Sequence, residues 1–296
     1  MPSSHDLFVK GIFSNLTQAI DFFGSSLPKN ITNLLILEKL ELTKETFIGN
    51  DQKESRTDLL YKIPLKSGSA TFIYLLFEHK SYYDPKIFTQ LLEYLSKIYS
   101  WQMENQKNLR IVIPFVFYHG EKGWDLGENF LDNFPVETIS KDLHKYIPNF
   151  TIQLLELKNK GKAFQTRNLA LRLYMRMIQI TRDTPEEYKI KIREIYISLR
   201  EEENFVKRIE ILRNLLEYLY RARNDAENYS VKEIINGIEE EYMNVLDKIR
   251  EEGKIEGELK GKLETARKMK EFGDSLEKII IITGLPKNLL RENGIL

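Results

Sequence analysis

The chain has 296 residues, of which 42% are hydrophobic and 30% are charged. This composition excludes collagen-like and wholly disordered proteins, and the length allows one large domain or two modest ones. No run of residues reaches the roughly 18 apolar positions of a membrane span, and the N-terminal sequence lacks the basic-then-apolar order of a secretory signal. We therefore expect a cytoplasmic protein with no membrane partner.

The sequence contains no cysteine and four histidines. Disulfides, thiolate metal sites and cysteine nucleophiles are therefore excluded, and a bound metal would be held mainly by carboxylates, carbonyl groups or water. Such ligands favour a hard cation such as Mg²⁺. The 44 basic and 44 acidic residues give a formal net charge of zero, so the molecule as a whole has no net attraction for nucleic acid or a membrane.

Residues 1–155 have a mixed α/β pattern. Ser3 and Ser4 can cap one predicted helix whose apolar residues recur from Leu7 to Phe23, and Gly24 and Pro28 stop it. The pattern then predicts a hairpin in which a strand at 57–65 pairs with a strand at 70–80. A helix follows at 86–103, and a strand buried on both faces at 110–119.

The remainder of the chain is predicted to be helical, because apolar residues recur every three or four positions through 163–182, 186–200 and 204–222. We therefore divide the chain into an α/β domain at 1–160 and two helical parts, at 161–250 and 251–296.

The last helical part contains a charged helix and a short helical pair. Gly253, Gly257 and Gly261 recur at four-residue intervals. These small residues either let another helix approach closely or only lower the stability of a solvated helix. Gly284 as a C-cap and Pro286 as a helix start predict two short helices at the end, an arrangement that resembles a small helix-turn-helix.

Three ionisable residues lie at the ends of the two hairpin strands. Glu78 and Lys80 are separated by one residue, so both project from the same side of a strand, whereas His79 faces the opposite way. If the strands pair, Asp58 lies beside Glu78. Two carboxylates and one ammonium then converge at the end of a sheet.

This group of residue types suits metal-assisted hydrolysis of a phosphodiester. Asp58 and Glu78 can share a Mg²⁺ ion that lowers the pKa of a bound water, and Lys80 can stabilise the charge that builds on the phosphate. The bare spacing occurs by chance in many charge-rich chains. However, the apolar YLLF before Glu78 indicates a buried strand, whose acid and lysine need partners.

The order of Asp58 and then Glu78-x-Lys80 on the next strand resembles the PD-(D/E)xK nuclease superfamily. Gln90 and Tyr94, which share one face of the following helix, are similar to the Q-x-x-x-Y motif of the RecB-type branch. Over about residues 4–125 the chain also resembles the recombination-promoting nuclease (Rpn) family, whose members are also labelled putative transposases. The segments that carry this resemblance are HDLFVKGIFSN, DFFGSSLP, RTDLLYKI, FEHKSYYD, QLLEY and IPFVFYHGEKGW.

The resemblance implies a restriction-endonuclease-like mixed sheet flanked by helices, here followed by an all-helical C-terminal region. It implies a divalent-metal-dependent DNA endonuclease of low sequence specificity, active in recombination or on mobile elements. The expected cation is Mg²⁺, with Mn²⁺ or Ca²⁺ as alternatives, and no organic cofactor is expected. DNA is the expected substrate, and RNA remains open.

The resemblance also implies roles for individual residues. Asp58 and Glu78 take the metal-ligand roles, and Lys80 takes the third catalytic position, where many relatives have glutamine. A helical acidic residue often completes such sites, and Asp6 is the first candidate, with Asp21 second. The supporting residues are Lys10, Gln90 and Tyr94.

A second hypothesis is a catalytically silent DNA-binding or assembly protein that keeps the nuclease fold and forms homo-oligomers through its C-terminal helices. The net charge of zero slightly favours it, although Lys10, Lys80, Lys86 and Lys97 could form a local basic surface. A transposase with an RNase H-like site of three carboxylates ranks last, since it leaves Lys80 without a role. His5 and His119 are interpreted as structural, and His144 belongs to no motif.

Overall fold

The computed structural model describes residues 4–43, 59–67, 72–105, 108–158, 164–223, 225 and 259–295. Asp58, Gly253 and Gly257 lie outside these described residues. The chain divides into two compact units, Met1–Ile234 and Ile235–Leu296, and the three-part division drawn from the sequence stays a prediction. Within the described ranges, every helix is too short or too polar to cross a bilayer.

A five-stranded mixed sheet forms the centre of the first unit, with its strands in the order β1-β2-β3-β4-β5. The strands are β1 (Glu41–Leu42), β2 (Leu59–Pro64), β3 (Phe72–Lys80), β4 (Val112–Tyr118) and β5 (Gln153–Glu156). The first three are antiparallel, whereas β4 runs parallel to both β3 and β5. The predicted α/β class, hairpin and buried strand are confirmed. The sequence pattern missed the two short edge strands, β1 and β5.

The first unit contains eight α-helices in the described part of the chain. They are α1 (Ser4–Ser14), α2 (Leu16–Ser26), α3 (Lys29–Thr32), α4 (Ile87–Asn105), α5 (Lys141–His144), α6 (Leu169–Ile180), α7 (Pro185–Ser198) and α8 (Phe205–Ala222). The helices predicted at 86–103, 186–200 and 204–222 are therefore confirmed, and the one predicted at 163–182 is confirmed as the shorter helix Leu169–Ile180.

The single N-terminal helix predicted up to Phe23 was wrong. The side-chain oxygen of Asn15 accepts hydrogen bonds from the backbone N–H groups of Thr17 and Gln18, at 3.0 and 3.3 Å. This is an N-cap, so α1 ends at Ser14 and α2 begins at Leu16. The apolar spacing continues across the break because both helices cover the same face of the sheet.

The two faces of the sheet are covered by different helices. On one face, Phe77 of β3 lies against Phe13 of α1 and Phe22 of α2, with ring centroids 4.7 and 5.9 Å away. On the other face, Leu76 and Val116 belong to one core cluster with residues of α4. Because side chains alternate along a strand, Glu78 and Lys80 share the α4 face and His79 shares the α1 face.

The second unit has a small helical core of its own over 259–295. A helix over 259–271, here α9, is followed by α10 (Leu276–Thr283) and α11 (Lys287–Glu292). Gly284 ends α10 with a φ of 68°, and Pro286 precedes α11, as the sequence predicts. Apolar residues of this core include Ala266, Ile279, Leu285, Leu290 and Ile295.

We expect Phe22→Ala to lower the free energy of unfolding of the first unit by about 3–5 kcal/mol, because its buried ring packs among other aromatic side chains of the α1–α2 face. Tyr146→Ala, at an exposed position of the same unit, is the matched control and should change stability by about 0.5 kcal/mol or less. Denaturant titration measures both values. Equal losses in the two variants would contradict this packing.

Candidate functional site

Glu78 and Lys80 form a buried ion pair at the C-terminal end of β3. Their side chains are 1% and 3% exposed, and Lys80 Nζ lies 3.2 Å from Glu78 Oε1. A buried ion pair needs further hydrogen bonds to offset the loss of hydration. The neighbouring helix α4 and the loop before it supply such bonds.

Gln90, in the first turns of α4, connects the two charged residues. Its amide nitrogen donates to Glu78 Oε1 at 3.0 Å, and its amide oxygen accepts from Lys80 Nζ at 2.7 Å. The same nitrogen donates to the hydroxyl of Tyr94 at 3.0 Å. The structure thus brings together four of the residues singled out in the sequence, Glu78, Lys80, Gln90 and Tyr94.

Asp84 belongs to this site, although the sequence analysis did not select it. Its Oδ2 accepts from Lys80 Nζ at 2.8 Å, and its Oδ1 accepts from the backbone N–H of Lys86 at 3.0 Å. Asp84 therefore pairs with the lysine and also fixes the loop that leads into α4. The sequence did contain a signal for Asp84, which is the last residue of the FEHKSYYD segment. A buried lysine needs more hydrogen-bond acceptors than one glutamate provides, and Asp84 is a nearby carboxylate.

The charge of Lys80 is maintained by its neighbours. Burial acts against the ammonium form, but the carboxylates of Glu78 and Asp84 outweigh it and raise the pKa of Lys80 above its ordinary value. Lys80 is therefore cationic at neutral pH. A fixed cation between two carboxylates can stabilise an anion that replaces one of them.

The other acidic and basic candidates lie elsewhere. Asp6, in α1, is 3.0 Å from Nδ1 of His79, whose side chain lies on the α1 face, so the structure does not bring Asp6 to Glu78. Asp21 accepts from Asn168 Nδ2 at 2.8 Å, at the start of α6. Lys10 is exposed on α1. Among the contacts of the described residues, Asp6 and Asp21 therefore lie with His79 and Asn168 rather than with Glu78 and Lys80.

A cluster of histidines lies behind the site, on the α1 face of the sheet. His79 Nε2 and His119 Nε2 are 2.8 Å apart, and His5 packs edge-on against His119. His5 Nδ1 is also 2.7 Å from the hydroxyl of Tyr218 in α8. Burial lowers the pKa of all three histidines, to about 4 for His5. We call His5, Asp6, His79 and His119 the histidine cluster.

The oxygen donors of the site suit a hard divalent cation. Carboxylates from Glu78 and Asp84, and the amide oxygen of Gln90, are the ligand types that Mg²⁺ prefers. In the ranges described, however, no three acidic or histidine side chains are arranged to hold a metal ion. Asp58, which directly precedes Leu59, the first residue of β2, lies outside those ranges.

The fold and site together define a class of α/β protein with a carboxylate and lysine pair at the end of a central strand and a supporting glutamine on the next helix. The chain belongs to the family described as "Putative transposase, YhgA-like", whose model matches residues 3–210.

Curated relatives agree with this membership. The chain is 26% identical to recombination-promoting nuclease RpnA of Escherichia coli K12 over 97% of this chain and 95% of the relative. It is 29% identical to RpnD of E. coli O157:H7 over 47% of this chain, a match that spans only 55% of RpnD. A third relative, 28% identical over 30% of this chain and 86% of its own length, is the "Putative inactive recombination-promoting nuclease-like protein YjiP" of E. coli K12. No solved structure matches the chain.

We expect Lys80→Met to lower the free energy of unfolding by about 3–5 kcal/mol at pH 7, because it leaves the buried carboxylate of Glu78 without its cation. Denaturant titration at pH 7 measures this loss.

Two variants make this test specific. Lys80→Met combined with Glu78→Gln should recover part of the lost stability, because the uncompensated charge is gone. Lys97→Met is the control, since it breaks the exposed pair with Glu93 on α4 and should cost about 0.5 kcal/mol. A double variant that is no more stable than Lys80→Met would contradict the coupling.

The histidine cluster predicts a loss of stability in acid. Because the folded-state pKa values lie below the ordinary value of 6.5, the unfolded chain binds more protons, and stability falls as the pH decreases from about 6.5 toward 4. His5→Gln should reduce this slope between pH 6.5 and 4.5, and an unchanged slope in this variant would contradict the effect assigned to the cluster. Unfolding free energies at three pH values decide between these results.

Proposed function

We propose that this protein is a divalent-metal-dependent DNA endonuclease of low sequence specificity that hydrolyses phosphodiester bonds in recombination or on mobile elements. The single observation that carries the proposal is the buried Glu78 and Lys80 pair, joined by Gln90 at the end of β3. The names of two relatives support the proposal, since RpnA and RpnD are both named recombination-promoting nucleases. The arrangement also supports the resemblance to PD-(D/E)xK nucleases.

Asp58 and Glu78 would hold the cation. Leu59, the residue after Asp58, pairs with Phe77, the residue before Glu78, so the chain enters β2 beside the end of the strand that carries Glu78. When bound, Mg²⁺ would lower the pKa of a water molecule and polarise a phosphoryl oxygen. Asp58 is assigned this role from the sequence pattern.

The other side chains of the site would bind the phosphate and keep the reacting groups in place. Lys80 donates from its ammonium to a non-bridging oxygen of the phosphate, where negative charge increases during attack. A substrate phosphate would take over the acceptor position that Asp84 holds on Lys80 Nζ. Gln90 keeps the carboxylate and the ammonium in a fixed relation, and Tyr94 in turn fixes the amide of Gln90.

The second candidate function is a DNA-binding or assembly protein without catalytic activity. One observation favours it, namely that YjiP, a relative of part of this chain, is named inactive. Homo-oligomers through the C-terminal helices belong to this alternative. The intact Glu78, Lys80, Gln90 and Tyr94 contacts favour the nuclease.

We expect the purified protein to nick supercoiled plasmid with Mg²⁺ or Mn²⁺ and to lose this activity with a chelator. Glu78→Gln and Asp58→Asn should each lower the rate by about 100-fold or more, because each removes a charge that the reaction requires. Glu93→Gln, an exposed neutral substitution on α4, should retain the activity. Gel electrophoresis of the plasmid forms measures all four rates.

Folding and cation binding are measured on the same samples, by circular dichroism and by calorimetric titration with Mn²⁺. Reduced Mn²⁺ binding in folded Glu78→Gln and Asp58→Asn would support the metal assignment without recourse to cleavage. Cleavage that is equal in the wild type and in folded Glu78→Gln would exclude this site as the source of activity.

A further inference from the structure

The strand ends that carry the site are held from behind by one side chain of the helical part of the first unit. Arg182 lies in the turn between α6 and α7. Its guanidinium donates to the backbone carbonyl of Ser81 and to the backbone carbonyl of His119. These two residues directly follow β3 and β4, so one arginine connects the ends of two neighbouring parallel strands.

The same strand ends are tied to Lys80 through the backbone. The N–H of His119 donates to the carbonyl of Lys80 at 3.0 Å. Ser81 and His119 are both buried, so a carbonyl there that lost its donor would have little access to water and would be costly. The position of the Lys80 backbone is therefore coupled to the bond between Arg182 and His119.

The turn that carries Arg182 is itself fixed by a second arginine. Arg223, after α8, donates to the carbonyls of Thr181 and Asp183 at 2.8 and 2.9 Å, on either side of Arg182. Its guanidinium also lies over the ring of Tyr188 in α7, 4.2 Å from the centroid. The side chain of Arg182 is thus presented by a rigid turn whose own carbonyl groups are occupied.

We infer that Arg182 is a positioning residue for the site, because it fixes the ends of β3 and β4 and through them the Lys80 ammonium; as a statement about catalysis, the inference rests on the proposed nuclease function. An arginine suits this role, since its planar guanidinium presents several N–H donors in fixed directions and can serve two carbonyls at once. Lysine, with one compact ammonium, does not reproduce this geometry. Arg182 makes no direct contact with substrate in this role.

The inference is tested by hydrogen exchange on the full chain, read by mass spectrometry. Arg182→Met should increase exchange by about 10-fold or more in peptides over 79–84 and 117–122, which hold the strand ends. Peptides over 72–76 and 110–114, at the opposite ends of the same strands, should change little. Arg182→Lys should give an intermediate increase at the strand ends.

Arg172→Met is the matched control, because Arg172 also belongs to the helical part of the first unit but pairs with Glu201 at the surface. It should leave all four peptides as in the wild type. Exchange that is unchanged in Arg182→Met, or that rises equally at both ends of the strands, would overturn the inference. A uniform increase would mean that Arg182 contributes only to overall stability.

Plasmid nicking then separates the positioning role from the proposed function. If the wild type cleaves DNA, Arg182→Met should lower kcat by about 10-fold or more and leave KM for the plasmid within about two-fold, since a misplaced group affects the chemical step. An unchanged kcat would overturn the catalytic part of the inference. If the wild type does not cleave DNA, the proposed function fails, and the exchange pattern alone decides whether Arg182 positions the strand ends.

Discussion

The requirement to surround a buried ammonium with oxygen atoms determines the arrangement of the site. Lys80 Nζ contacts three oxygen acceptors: Glu78 on the same strand, Asp84 in the following loop and Gln90 on α4. Each of these acceptors comes from a different local element, so the strand end, the loop and the helix must keep one relation to each other. A lysine with fewer acceptors would lose its charge or unfold the strand end, because burial of an unpaired cation is costly.

The direction of the strands determines which elements can reach this point. Since β3 and β4 are parallel, their C-terminal ends meet at one edge of the sheet, and the residues that follow both strands lie within reach of one side chain. The antiparallel pairing of β2 with β3 brings the start of β2 to the same edge. Aromatic packing on the α1 face and the hydrophobic core on the α4 face hold the sheet between its helices.

Contacts within a strand or helix could be predicted from the sequence, and contacts between distant segments could not. A period of two places Glu78 and Lys80 on one side, and a spacing of four places Gln90 and Tyr94 on one side of α4. The sequence could not show that Asp6 pairs with His79 on the far face, because that contact depends on how α1 crosses the sheet. Asp84 was missed because loop conformation is not set by periodicity, and the break at Asn15 because one side-chain cap outweighs a continuing apolar pattern.

Because side chains alternate along β3, the Glu78 and Lys80 ion pair and the histidine cluster lie on opposite faces of the same strand. Glu78 and Lys80 are charged on one face, while His79 on the other face is held neutral among other histidines. A one-residue insertion or deletion within β3 would exchange the two faces for every residue beyond it. Evolution can therefore vary the length of the connection between β2 and β3 far more freely than the length of β3 itself, and related chains should place their gaps accordingly.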